Sequence, residues 1–383
     1  MAPTIIVGLI LGCALLGGYT SMFTSHQHGF FDAIRVCNTG AKSCALDMSD
    51  SVSRRITGFE QVDAMINLLL EFFSQGLRKS PDTEGMDLEA LVAFVYLATQ
   101  FGGAWYLIAL EGLRVGNKGT ILNWTGTFGI VFQAVTITII APIYLTLQLL
   151  LSPSNPRQAH LLVDPADLNF LPVATIISYV LPTIGLCLPL VFDISREAKF
   201  IAVALWQPFP LYQSALQSLW QLFNRDENNN KHAILRPTKA LDRAYSFITG
   251  LTVSVYFLVM GTIAASWLGF VQPVSGHHIL ALTSIADPPT VALFDPPVLA
   301  MESREIVVSF LRWDVYCTCL SMIIWSGYQL HAAQRAPSAV AIVVKATILA
   351  LVGGPILPAL MLLWERDSIV MSRTEATTAK KHK

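Results

Sequence analysis

Residues 125–150 read TGTFGIVFQAVTITIIAPIYLTLQLL, a run of 26 residues without one ionisable side chain. As a helix rising about 1.5 Å per residue, such a run is long enough to cross a hydrocarbon core about 30 Å thick. Comparable stretches of 20 to 30 residues, with at most one or two ionisable groups, recur from one end of the chain to the other. The pattern predicts a polytopic helical membrane protein.

The composition agrees with this prediction. Of the 383 residues, 53% are hydrophobic and only 13% are charged, whereas a soluble domain carries about 25% charged residues. This excludes an ordinary soluble enzyme. The net charge of −1 offers no basic excess for nucleic acid or for a polybasic membrane anchor. The six cysteines form no CxxC pair, so the spacing excludes a zinc module and a redox dithiol.

We expect an all-α integral membrane protein, organised as a single membrane domain of about eight transmembrane helices. The expected spans are residues 3–19, 90–110, 125–150, 170–192, 200–223, 245–271, 306–329 and 338–364. Residues 59–77 have apolar positions at helical spacing, but Glu60, Asp63 and Glu71 interrupt them, which predicts an amphipathic helix. A polar tail covers residues 367–383.

The orientation of the bundle stays open. Basic residues cluster in the connection 224–243 and again after residue 365. Eight spans would put these clusters on opposite faces, which conflicts with the tendency of Lys and Arg to stay in the cytoplasm. Cys37 and Cys44 form a disulfide if their loop faces an oxidising lumen, and two free thiols are an equal alternative.

Asp314 is the main candidate for chemistry. It lies about 13 Å into its expected span, at 1.5 Å per residue. A carboxyl at that depth tends to stay protonated at neutral pH, which suits a general acid. Arg312 is a second candidate, with snorkelling as its alternative. It is two residues away and points to a different helix face, so it does not simply neutralise Asp314.

Three further acids are candidates for a partner or a final base. Glu60 and Asp63 share a helix face and can form an acid pair at the mouth of a cavity, with a solvated face as the alternative. Glu111 stands three residues before Arg114, where a boundary salt bridge is the simpler interpretation.

Several aromatic residues lie inside the expected spans rather than at their ends, where the headgroup layer attracts indole rings. Aromatic faces stabilise cations by roughly 0.5 to 2 kcal/mol each, so such residues around an acid suit a carbocation reaction. Taken singly, an aromatic residue at such a position is more often a part of the packed core. The candidates are Trp105, Trp206, Trp313, Trp325 and Tyr256.

Motifs for metal or nucleotide chemistry are missing from the sequence. There is no DDxxD or NDxxD pair to hold Mg²⁺ and a diphosphate, which disfavours a diphosphate-ionising synthase. No GxSxG, HExxH or Walker A motif is present. We therefore expect neither a metal site nor a cofactor.

Four segments, taken in order, resemble the fungal membrane-bound terpene cyclases of the AscI type, which act in meroterpenoid biosynthesis. These segments are Gly58-Phe59-Glu60, residues 110–117 (LEGLRVGN), residues 141–145 (APIYL) and residues 310–314 (FLRWD). The resemblance extends over most of the chain in order and spacing. It identifies no catalytic residue set, so the candidates above rest on burial and spacing.

The resemblance implies a cyclase of the endoplasmic reticulum membrane. Its substrate would be a small prenylated polyketide, supplied by a prenyltransferase and an epoxidase, and the bilayer would present the farnesyl chain. Cyclisation would begin by protonation of a terminal epoxide or a terminal alkene, without a change in redox state. Two other classes remain open on the residues alone: a transporter or permease for a hydrophobic metabolite, and a receptor or scaffold.

Overall fold

A computed structural model describes residues 3–27, 29–38, 55–79, 85–152, 158–224, 237–270, 303–334 and 338–381. All regular structure in these ranges is helical. The Cys37 and Cys44 side chains, and with them the predicted choice between a disulfide and two thiols, lie outside the described residues.

The helices are numbered in chain order. They are α1 (Pro3–Gly18), α2 (Thr24–Gln27), α3 (Phe30–Asn38), α4 (Glu60–Gly76), α5 (Leu88–Gly112), α6 (Thr125–Val135), α7 (Ile137–Leu151), α8 (Gln158–Leu161), α9 (Pro165–Thr175), α10 (Leu181–Val191), α11 (Arg196–Trp206), α12 (Phe209–Phe223), α13 (Pro237–Trp267), α14 (Ser303–Ala333), α15 (Ala339–Gly353) and α16 (Leu357–Lys381). Turns of π-helix at Tyr19–Phe23 and Ile176–Val180 join α1 to α2 and α9 to α10 into longer helical units.

Five helical units in the described ranges are long and apolar enough to cross a membrane. They are Thr4–Gln27, Leu88–Gly112, Ala159–Val191, Lys239–Trp267 and Arg304–Ala333. The expected count of about eight spans is therefore not confirmed.

Each of the other three stretches contains a break in the helix. Residues 125–150 break at Thr136, whose φ of 108° ends α6. Residues 200–223 break at Gln207 and Pro208, and residues 338–364 break at Gly354, whose φ is 84°, followed by Pro355. A positive φ is incompatible with an α-helix, and proline cannot donate the helical hydrogen bond. Neither effect changes the hydropathy of the stretch, so the sequence prediction of a continuous span could not detect the break.

Two of these interrupted stretches are antiparallel hairpins. Along α6 and α7, the Phe128 and Tyr144 rings lie 5.1 Å apart, and the Tyr144 hydroxyl donates to the Leu122 carbonyl at 3.1 Å. Along α15 and α16, Lys345 Nζ lies 2.5 Å from Glu365 Oε2. Each hairpin thus begins and ends at the same end of the bundle.

The tips of both hairpins are held by side chains of the long helices. The Thr138 backbone N–H donates to Asp314 Oδ1 of α14 at 3.0 Å, and the Ile356 N–H donates to Gln100 Oε1 of α5 at 3.1 Å. Within a membrane, irregular backbone is tolerated only where protein or cavity water satisfies its polar groups. These two side chains do so.

The bundle has two ends, named here by one acid each. At the Asp87 end, the Asp87 N–H donates to the Leu190 carbonyl at 2.9 Å, and Arg304 Nη1 lies 3.2 Å from Asp87 Oδ2. This end therefore joins the starts of α5 and α14 to the end of α10. At the Glu111 end, α5 finishes beside the first turns of α13 and the middle of α16, where Arg366 and Asp367 lie.

Candidate active site

An elongated cavity of about 190 Å³ lies between α4, α5 and α14 and ends at the tip of the α6–α7 hairpin. Along α5 its lining runs from Glu89 to Phe101, and along α14 from Arg304 to Val315. At 1.5 Å per residue, these stretches are about 15 Å long or slightly more. The cavity therefore has the shape of a channel parallel to the two helices.

Aromatic side chains form much of the wall. They are Phe31, Phe72, Phe73, Phe94, Phe101, Phe132, Tyr179, Trp206 and Phe310. Trp206 lies 5.3 Å from the Phe73 ring and 6.2 Å from the Phe101 ring, and Phe72 lies 4.9 Å from Phe310. Rings at these spacings present faces and edges to the cavity, and the faces attract positive charge.

Asp314 lies at the inner end of the channel. Its residue is 7% exposed, and its Oδ1 accepts the hydrogen bond from the Thr138 N–H. No Lys, Arg or His forms an ion pair with Asp314 within the described ranges. An acid without a cation in apolar surroundings favours its neutral, proton-carrying form. Asp314 thus faces an aromatic cavity with no cation paired to it in the described ranges.

Glu111 lies in a very different setting, at the Glu111 end. Its Oε1 is 2.7 Å from Arg114 Nε and 3.1 Å from Arg366 Nη2, and Asp367 binds the same two arginines at 2.8 Å each. All four side chains are 0–1% exposed. The predicted pairing of Glu111 with Arg114 is present, within a larger buried network to which the Tyr245 hydroxyl also donates.

The ion pairs of this network shift the pKa values of Asp367 and Arg114. Burial acts to raise the pKa of Asp367, but the charges of Arg114 and Arg366 outweigh it and hold that pKa below its ordinary value. Burial likewise acts to lower the pKa of Arg114, and the charges of Asp367 and Glu111 hold it well above normal. Glu111 is thus tied to two arginines and is not among the residues that line the cavity.

Glu60 and Asp63 do not form an acid pair at the cavity. Glu60 is exposed at the first position of α4. Asp63 accepts hydrogen bonds from the Thr57 N–H at 2.7 Å, the Thr57 hydroxyl at 2.8 Å and the Gly58 N–H at 3.1 Å. The Thr57 backbone bond is the largest influence that lowers the pKa of Asp63. Asp63 therefore fixes the turn before α4.

Of the predicted aromatic residues, Trp206 lines the cavity and the others lie elsewhere. Trp105 is buried one layer behind the wall, 5.6 Å from Phe132, and donates to Gln213 Oε1 at 2.7 Å. Trp325 donates to Gln148 Oε1 at 2.8 Å, and the Tyr256 hydroxyl donates to the Leu351 carbonyl at 2.9 Å. Trp313, like the predicted Arg312, is half-buried and outside the lining.

The phenylalanines of the wall were not predicted from the sequence, nor were the two charged residues at the outer end, Glu89 and Arg304. The Phe72-Phe73 pair on α4 and Phe310, four residues before Asp314, were the available signals. Within the described ranges, no group of three or more His, Cys, Asp or Glu side chains is placed to hold a metal ion.

The sequence of the chain matches a known protein family. A family model described as the CtvD domain matches residues 7–371, which is nearly the whole chain. The chain belongs to the CtvD domain family. No solved structure matches it.

Other proteins similar to this CtvD domain chain are fungal terpene cyclases. Terpene cyclase ascI of Acremonium egyptiacum is 28% identical over 96% of this chain and 91% of that protein. Terpene cyclase atmA of Aspergillus flavus is 23% identical over 91% and 92%, and terpene cyclase ctvD of Aspergillus terreus is 23% identical over 73% and 77%. The resemblance to fungal terpene cyclases that the sequence indicated is confirmed.

Proposed function

We propose that this protein cyclises the farnesyl or epoxyfarnesyl chain of a prenylated polyketide in a fungal meroterpenoid pathway, by a redox-neutral reaction that Asp314 starts with a proton. The observation that carries the proposal is Asp314 at the inner end of an aromatic channel, without a cationic partner in the described ranges. A cyclase name shared by the relatives supports the reaction class.

The reaction needs a proton donor at one end of an apolar chain. The Asp314 carboxyl gives its proton to the terminal epoxide oxygen, whose bond to the tertiary carbon then breaks, or to the terminal alkene carbon, which takes the electron pair of the π bond. In both cases a tertiary carbocation forms and Asp314 is left as a carboxylate. The neighbouring double bond supplies an electron pair to that carbon, a C–C bond closes and the cation moves along the chain. Loss of a proton from carbon, or attack by a hydroxyl oxygen followed by its deprotonation, ends the sequence. The proton count is restored, so the product is an isomer of the substrate.

The channel wall stabilises and protects the cation. Its aromatic faces attract positive charge, by roughly 0.5 to 2 kcal/mol for each ring. A dry site also prevents water from trapping the cation before the ring closes. Near the inner half of the channel, the Phe101 ring lies within 5.7 to 6.2 Å of the rings of Phe132, Tyr179 and Trp206.

A fungal or yeast microsome assay tests the proposal. Membranes containing the protein receive a farnesylated phenol with a terminal epoxide and, separately, the same phenol with a terminal alkene. The expected result is a new chromatographic peak of unchanged mass from one of them, and the reactive substrate identifies the trigger. If folded, membrane-inserted protein gives no such peak and instead moves the compound across sealed vesicles, the transporter alternative replaces the cyclase.

For the membrane arrangement in the endoplasmic reticulum we propose six crossings and two re-entrant hairpins, α6–α7 and α15–α16, that enter from the Glu111 end. The sixth crossing is the interrupted pair α11–α12. Arg196 at its start pairs with Glu71 of α4 at 3.0 Å, and Gln221 near its end donates to Asp167 of α9 at 2.9 Å.

This arrangement places the connection 224–243 and the C-terminal tail on one face. Both basic clusters then lie at the Glu111 end, and the tendency of Lys and Arg to stay in the cytoplasm assigns that end to the cytosol. Glycosylation acceptor sites inserted within residues 225–236 and within the tail should both remain unmodified. Modification of only one of the two sites would instead support eight spans.

A further inference from the structure

The outer end of the channel, at the Asp87 end, carries two opposite charges. Glu89 in the first turn of α5 and Arg304 in the first turn of α14 both line the cavity there. With Asp314, they are the Asp, Glu, Lys and Arg residues that line the cavity within the described ranges. The channel is thus polar at its mouth, apolar and aromatic along its length, and acidic at its inner end.

Arg304 is held in place by a residue that is itself fixed. Asp87 caps α5, since its Oδ1 accepts from the Ala90 N–H at 2.9 Å, and its Oδ2 lies 3.2 Å from Arg304 Nη1. Asp87 is buried and the Arg304 side chain is 19% exposed. A guanidinium has five N–H donors in a planar fork. One contact to Asp87 therefore orients the group and leaves other donors for the cavity.

The distance between the mouth and the acid selects a chain length. Arg304 and Asp314 are ten positions apart on one continuous helix, which is about 15 Å along its axis. This is close to the length of an extended prenyl chain of three isoprene units. A ligand that spans the channel therefore places a polar group beside Arg304 when its apolar terminus reaches Asp314.

We propose that the mouth binds the oxygen-substituted ring of the substrate, with Arg304 donating hydrogen bonds to a phenolate or carbonyl oxygen and Glu89 accepting from a ring hydroxyl. The ring then stays at the Asp87 end while the third isoprene unit lies at Asp314. This inference rests on the proposed cyclase function and adds the part of the substrate that is recognised and the direction in which it binds.

A pair of matched substrates tests the role of Arg304. The first is a farnesylated phenol with a free hydroxyl and the second is its methyl ether, each carrying the terminal group that wild-type protein cyclises. A charge-assisted hydrogen bond is worth about ten- to a hundredfold in binding. We expect wild-type protein to favour the free phenol in kcat/KM by about that factor, mainly through KM, and Arg304→Met to reduce the preference to less than about threefold.

Two controls keep the result interpretable. Lys79→Met removes a cation that pairs with Asp193 at 2.7 Å and does not line the cavity, so it should leave the preference unchanged. Arg304→Lys keeps a charge opposite Asp87 and should retain part of the preference.

A chain-length series should show the highest kcat with three isoprene units and lower values with two or four.

The possible failures are distinguishable. If wild-type protein cyclises neither substrate, the proposed function itself fails. If wild-type protein cyclises them and Arg304→Met lowers kcat/KM by the same factor for both, the head-group inference is wrong and Arg304 is structural. Equal rates for all three chain lengths would contradict the proposed binding direction.

Discussion

Asp314 and Glu111 are both buried carboxylates in long helices, yet their surroundings give them opposite properties. Glu111 lies beside Arg114 and Arg366 in a network of two acids and two guanidiniums. Asp314 has a backbone N–H as its hydrogen-bond partner and faces a cavity of aromatic rings. Glu111 is therefore fixed by ion pairs, whereas Asp314 faces the cavity without one in the described ranges.

The difference shows why burial alone is a poor guide to catalytic acids. Ionisable groups inside a membrane protein are candidates for function because their burial is costly. The arginines offset that cost for Glu111 and Asp367 within a network that ties α5 to α16. Within the described ranges no ion pair offsets it for Asp314, and the proposed function has a proton offset it instead. Partners, rather than depth, separate the ion-paired acid Glu111 from Asp314, the proposed proton donor.

The largest effect on stability is expected at the Glu111 network. Arg366→Met leaves two buried carboxylates facing one guanidinium, and breaking a buried pair in this way costs about 3–5 kcal/mol in the free energy of unfolding. Denaturation with SDS in mixed micelles measures this loss. The matched control is Lys345→Met, which breaks a partly exposed pair with Glu365 and should cost about 1 kcal/mol or less. Equal losses in the two variants would contradict a stabilising network.

A second prediction concerns how α1 supports Asp314. A Cβ atom on Gly17 would lie 1.9 Å from Thr138 Oγ1, so Gly17→Ala forces Thr138 to move, and its N–H is the donor to Asp314. A displacement near 1 Å can reduce turnover about a hundredfold. Single-turnover assays should show this loss for Gly17→Ala and not for Gly12→Ala, which has open space on the same helix.

Shortening the Thr138 side chain should make room for the methyl group that Gly17→Ala adds and restore turnover. In the double variant Gly17→Ala/Thr138→Ala, the threonine side chain no longer meets the new methyl group, and kcat should recover most of its loss. Wild-type turnover in the Gly17→Ala single variant would show that the position of Thr138 does not control Asp314.

The smallest effect is a pH dependence of stability that arises from Asp367. Its pKa is held below the ordinary value by Arg114 and Arg366 against the effect of burial. The stabilisation is therefore complete above the unfolded-state pKa of about 4 and is lost as the pH falls through the lower folded-state pKa. Asp367→Asn should be less stable than wild type at pH 7, with a difference in melting temperature that narrows below pH 4. A difference that is constant with pH would contradict this role.

Much of the fold follows from the sequence, because hydropathy alone locates the long helices α5, α13 and α14. The hairpin turns at Thr136 and Gly354 do not follow from it, because the side chains that satisfy their backbones, Asp314 and Gln100, come from helices far away in the chain. The orientation of the bundle in the membrane cannot be predicted for the same reason. A re-entrant hairpin and a full span are equally apolar, so hydropathy does not give the number of crossings.

The candidate site was predictable only in part. Asp314 stands out because a lone acid in an apolar stretch is rare. The cavity wall does not stand out, because phenylalanine is common in any membrane helix, and the tryptophans chosen for their position within spans serve mainly in packing. Trp105 and Trp325 donate to Gln213 and Gln148 behind the wall.

The most direct measurement compares Asp314→Asn with Glu111→Gln in the same membranes, recording turnover per folded protein and the free energy of unfolding for each. Asparagine can still accept the Thr138 N–H, so Asp314→Asn should keep or raise stability while turnover falls about 10²- to 10⁴-fold, the usual contribution of a general acid. Glu111→Gln should lose stability and keep its turnover. If Asp314→Asn remains within a few-fold of wild-type turnover while folded, the assignment of the proton donor is wrong.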